Sequence, residues 1–166
     1  MATTTSGTAK VTTPADNQIL ITREFNAPKH LVWKAYTTPE LVKRWWSGDN
    51  GTVTIADIDL RVGGKWRYVI GGDYEVAFRG EYREIEAPDR LVNTEIFEGL
   101  PDPDDHAGLI TVTFTEKDGR TYMEMLCEYR DQADRDAVIQ SGMESGMQTS
   151  MDHLEKVAVS LGGDRS

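Results

Sequence analysis

The side chains with the most chemical potential in this 166-residue chain are three histidines, one cysteine and one cluster of acids. His153 lies in a strongly periodic C-terminal stretch, beside Leu154, and could act as a general base with Glu144 or a tyrosine hydroxyl near it. Tyr68, Tyr82 and Tyr129 are the other polar-tipped candidates. Inside an apolar enclosure one phenol hydrogen bond can orient a ligand, because there such a bond counts most. No nucleophile, base and orienting group form a constellation the sequence can define, so the catalytic residues stay unassigned.

Other reactive types read as structural. Cys127 alternates with Met123 and Met125 and is a buried small residue rather than a nucleophile. Asp102, Asp104, Asp105 and His106 are densely packed, but Pro101 and Pro103 break the run and no tight glycine turn orders it. It is expected to be a solvated loop, and His30 an exposed residue near a helix start. No histidine pair or cysteine cluster has metal-ligand spacing, so neither a metal nor a cofactor is expected. Val62-Gly63-Gly64 precedes no helix start and is a hairpin turn, not a phosphate cradle.

A larger set could line an apolar site. Strand and helix parity brings Trp45, Trp46, Trp66, Tyr68, Phe78, Tyr82, Phe97, Met123, Met125, Met143, Met147 and Met151 toward one interior, with His153 at its margin. Either these residues fill the interior as core, or the unbranched methionines line an adaptable ligand site. Gly142 and Gly146 bear on the choice, since a glycine within a helix costs ~1 kcal/mol relative to alanine. Close backbone packing or space for a ligand would each account for them.

The elements that must position these residues are legible from periodicity. Residues 18–25 alternate as a first strand, and Pro28 and Pro39 each fit the first turn of a short helix, with Thr38 as cap. Residues 52–60, 65–70, 74–85, 90–97, 110–115 and 121–129 read as strands, the last two a hairpin around the turn 116–119. Asp131 then caps a single helix running to Leu161, its apolar stripe formed by Met143, Met147, Met151, Leu154, Ala158 and Leu161. About 30 helical residues span ~45 Å, enough to cross a small sheet. The expected class is α+β.

Composition narrows the partners. With 39% hydrophobic and 28% charged residues the chain is long enough for one domain with a real core. The net charge of -10 comes without a basic patch, which argues against nucleic acid and against anionic membrane as partners. No stretch is apolar enough for membrane insertion. Residues 1–17 read as a disordered N-terminal tail, 18–162 as one domain and 163–166 as a C-terminal tail. A single cysteine suits a reducing, cytoplasmic setting.

Several motifs in order carry a resemblance. Phe25-Asn-Ala-Pro28, then Val32-Trp33-x-Ala35-Tyr36-Thr-x-Pro39-Glu40-Leu41-Val-x-Arg44-Trp45-Trp46, resembles the opening of the bacterial family similar to the activator of the ninety-kilodalton heat-shock chaperone ATPase. Asp59-x-Arg61-Val-Gly63-Gly64-x-Trp66 resembles its glycine turn, and Gly80-x-Tyr82-x-x-Ile85-x-x-Pro88-x-Arg90-Leu91-Val92 its middle strands. Met143-Glu-x-Gly146-Met147-x-x-Ser150-Met151-x-x-Leu154 resembles its helix, with Met147 where tryptophan is frequent.

The resemblance implies the START-related SRPBCC superfamily and its helix-grip fold. That fold is a curved antiparallel sheet of six to seven strands wrapped around a long C-terminal helix, with two short helices after the first strand. It also implies a cavity between sheet and helix, and so noncatalytic binding of a small hydrophobic or amphipathic molecule. A cyclase- or hydrolase-like enzyme using cavity tyrosines or His153 is the second expectation. The third is a protein-interaction role with a chaperone partner, and a homodimer is left open.

Overall fold

The computed structural model describes residues 8–48, 51–71 and 75–163. Its strands are β1 (Lys10–Thr12), β2 (Gln18–Phe25), β3 (Thr52–Ile58), β4 (Lys65–Gly71), β5 (Val76–Glu86), β6 (Arg90–Phe97), β7 (Gly108–Lys117) and β8 (Arg120–Glu128). Helices α1 (Lys29–Thr37) and α2 (Pro39–Val42) follow β2, a 3-10 turn (Pro103–His106) precedes β7, and α3 (Gln132–Gln140) and α4 (Met143–Gly163) follow β8. Tyr74, expected to begin the fifth strand, lies outside the described residues.

The sheet corrects the expected curved wrap of six to seven strands. Among the described residues it has eight strands in the open order β1-β2-β8-β7-β6-β5-β4-β3, neither curled nor closed around a helix, and every pairing is antiparallel. The additional strand is β1, from a polar stretch expected to be an unstructured tail. Its three residues pair with Leu20–Thr22, and Ala9 just before it exchanges two hydrogen bonds with the side-chain amide of Gln148 on α4. Composition hid this strand because its stability comes from a neighbouring edge and one amide, not from its own apolar content.

The single C-terminal helix is also corrected. Gly142, with φ of +84°, breaks the stretch into α3 and α4. A left-handed residue cannot continue an α-helix, and glycine adopts that conformation without a Cβ penalty. Nothing lies within 4 Å of a β-carbon built there, so the backbone conformation and not close packing accounts for this glycine. At the start of α3, Asp131 accepts the Asp134 amide at 2.9 Å, as its position predicts. Thr38 holds the cap position of α2 through its carbonyl, which accepts Leu41 and Val42 amides, and not through its side chain.

The core lies between one face of the sheet and the helices. Ile19, Ile21 and Phe25 of β2, Val112 and Phe114 of β7, and Met123 of β8 meet Val32 and Ala35 of α1 and Met151, Leu154, Val157 and Ala158 of α4. Arg23 shares this inner parity. Its side chain is fully buried, stacks over Phe25 at 4.7 Å, and binds Asp152 and Glu155 of α4 at 2.8 and 3.3 Å. An ion pair here pins the helix to the sheet.

Candidate functional site

The aromatic candidates divide into two packed groups. Trp66, Tyr68, Trp46, Phe78 and Phe97 form a continuous wall, with successive ring centroids 4.7–5.1 Å apart. Trp45 instead stacks on Tyr36 at 5.4 Å and donates its indole N–H to the Ala35 carbonyl, so it braces α1. Tyr36 in turn meets Phe114, edge to face. Trp45, Trp66, Tyr68, Tyr82, Met123 and Met151 are buried, whereas Trp46, Phe78, Phe97, Met125, Met143 and Met147 keep some accessible surface.

His153 is half-buried on α4 between Ser150 and Val157. Ser150 donates to the Trp46 carbonyl at 3.1 Å, so this edge of the helix runs toward the end of α2. Gly48 lies beside the same edge with φ of +57°, where a β-carbon would stand 2.5 Å from Thr149 Oγ1. Glu144, considered as a partner for His153, is exposed in the first turn of α4.

The residue that sequence reading missed is Glu95. It lies two positions before Phe97 on β6, and the same alternation that turns Phe97 inward turns Glu95 inward. The local ladder explains how a carboxyl is accommodated. On one side, the β5–β6 pairing is interrupted between Arg79↔Ile96 and Tyr82↔Asn93. There the Thr94 carbonyl takes hydrogen bonds from the Trp66 indole at 3.1 Å and the Asn93 amide at 3.0 Å, while Thr94 Oγ1 accepts the Glu81 amide. Only glycine fits opposite, since a β-carbon at Gly80 would fall 1.9 Å from the Thr94 oxygen. On the other side Glu95 pairs in register with Gly108 of β7, over which the Tyr129 ring lies.

Glu95 is therefore flanked by two strands that present no side chain of their own, and by an indole and a phenol that move into those gaps. It is enclosed by protein, keeps some accessible surface, and makes no hydrogen bond or ion pair among the described residues. Burial pushes its carboxyl up from 4.5 to about 7. Burial also raises Tyr36, Tyr68 and Tyr129, and the nearby Glu95 charge opposes their ionisation further. Cys127, pushed up to about 12 chiefly by burial, engages the Tyr129 hydroxyl and remains a thiol at neutral pH.

A separate depression of about 510 Å³ lies on the outer face of β4–β6. Its charges largely satisfy one another: Arg67 and Arg79 both reach Glu98, Arg79 also binds Asp104, and Arg83 pairs with Glu81. Of the expected site residues it touches only Trp66. The acidic loop is likewise spoken for, with His106 Nδ1 2.9 Å from Asp134 on α3. Among the described residues no three His, Cys, Asp or Glu side chains converge on a metal position, and no helix is long and apolar enough to cross a membrane.

An antiparallel sheet covered on one face by α1 and α4 is the helix-grip arrangement of the SRPBCC superfamily. Residues 26–158 match the family described as Activator of Hsp90 ATPase homolog 1-like protein, and the chain belongs to that family. No curated protein matches the chain. A crystal structure from Rhodobacter sphaeroides is 23% identical, covering 92% of this chain and 99% of its own, with a TM-score of 0.84. One from Mycobacterium smegmatis is 24% identical over 90% of this chain and 96% of its own, at 0.81. A solution structure from Staphylococcus epidermidis is 27% identical over 92% of this chain and 94% of its own, at 0.76.

Proposed function

We propose that this protein binds a small amphipathic molecule in a chamber between the inner face of the sheet and α4. The observation that carries the reading is Glu95, a carboxyl enclosed by protein that keeps accessible surface and has no hydrogen-bond or ion-pair partner among the described residues. Buried polar groups in a filled core are hydrogen-bonded, and one left open faces something the protein alone does not supply. The partly accessible Trp46, Phe78, Met125 and Met147 supply the apolar walls.

The test is titration of the protein with Nile red, a neutral apolar dye, competed by octanol. Saturable uptake is expected, with Met147→Trp weakening it about tenfold by filling the space. Absence of saturable uptake in a folded wild-type protein would overturn the reading.

Acid–base turnover is the second reading, favoured by the same carboxyl, whose ionisation lies near neutrality. It requires Glu95→Gln to abolish turnover while Nile red uptake persists.

A further inference from the structure

The chamber's charge pattern narrows the ligand. Resting on the binding role proposed above, we infer that the polar end of the ligand is a protonated amine, paired with the Glu95 carboxylate and packed against the surrounding aromatic rings. Three observations lead there.

First, Glu95 pairs with no lysine or arginine among the described residues. Among the described residues the buried part of the inner face carries one other charged side chain, Arg23, already committed to Asp152 and Glu155, while Glu116 of the same parity lies exposed at the end of β7. A carboxyl group with no lysine or arginine beside it offers an anionic ligand only repulsion, and offers an ammonium a full charge partner.

Second, the groups facing Glu95 suit a cation. Tyr36 comes from α1, Tyr68 from β4, Cys127 from the end of β8 and Tyr129 from just beyond it, with Trp66 filling the gap over Gly80. Tyr82 of β5 engages Tyr68, and β7 contributes only Gly108. The phenols and the thiol stay neutral, so they add no competing charge, and aromatic faces attract an ammonium by their quadrupoles. Of the titratable groups of α4, Asp152 and Glu155 are held by Arg23, and His153 sits on the edge toward α2.

Third, the site carries its own signature of proton exchange. An alkylamine arrives protonated at pH 7, whereas Glu95 is then partly protonated and must release its proton to form the pair. Amine affinity should therefore rise as pH increases from 6 to 8, and binding should release protons to buffer. An aliphatic alcohol should show neither effect.

Calorimetric titration with octylamine, octanol and octanoate, in two buffers of different ionisation enthalpy, tests this. Octylamine is expected to bind about tenfold tighter than octanol, with octanoate weaker than both. Glu95→Gln should erase the proton release and lower octylamine affinity to that of octanol in the same variant. Nonspecific attraction to the acidic surface is controlled by the same variant, which removes one of 28 acidic residues. Octanol binding as tightly as octylamine, or a Glu95→Gln protein that still prefers the amine, would overturn the amine assignment and leave the chamber standing. Binding of none of the three by folded protein would overturn both.

Discussion

A β-carbon on Gly108 would stand 2.9 Å from the ring of Tyr129, so the phenol occupies the place a side chain would take beside Glu95. The missing methyl group on β7 thus leaves the room that the Tyr129 ring fills.

Gly108→Ala is expected to displace Tyr129 and cost about 1–3 kcal/mol of stability, the range for overfilling a packed position. Urea unfolding measures it. If the proposed site is correct, the variant also loses octylamine affinity.

Glu95 predicts a pH dependence with a definite sign. Its folded value of about 7 lies above the ordinary 4.5, so between these the folded protein holds a proton that the unfolded chain has released. Its contribution is fully present below pH 4.5 and is lost as pH rises through 7. From pH 5 to 8 the loss is on the order of 2–3 kcal/mol. Urea midpoints across that range should fall for the wild type and stay comparatively level for Glu95→Gln. Parallel profiles for the two proteins would refute the placement.

Much of this was legible in the sequence, and the exceptions share a cause. Alternation located β2 through β8 because apolar side chains mark a half-buried strand. It failed at β1, whose three residues gain their partners from Leu20–Thr22 and whose flank is held by Gln148. Parity with Phe97 was sufficient to turn Glu95 inward, but a charged residue is ordinarily assigned to solvent. Its tolerance depends on Gly80 and Gly108 in adjacent strands, a cross-strand relationship that linear spacing does not display. Arg23 was passed over on an otherwise apolar strand face for the same reason, since its partners lie 129 and 132 residues away.

That ion pair yields a third prediction. Removing both acids, Asp152→Asn with Glu155→Gln, leaves a buried guanidinium uncompensated and should cost about 3–5 kcal/mol. Arg23→Met keeps the volume and removes the charge, so its cost should be clearly smaller. Denaturant midpoints of the two variants make the comparison.

Gly142 provides a purely backbone case. Its φ of +84° strains any residue with a β-carbon, although nothing lies within 4 Å of one. Gly142→Ala should cost about 1–2 kcal/mol in thermal or urea unfolding, with ligand uptake at saturating concentration unchanged.

The adjacency of β2 and β8 governs how this polypeptide is made as well as how it stands. Gln18 reaches Glu128 across 110 positions and Ala9 reaches Gln148 across 139. Neither union is available while the intervening chain is still being synthesised, and contacts so distant are slow to form. The β3–β7 meander can pair as it emerges, but its apolar face must wait for Leu154 and Ala158. A nascent chain stalled before α4 would therefore present an uncovered sheet, making the interval before that helix docks the protein's most aggregation-prone moment.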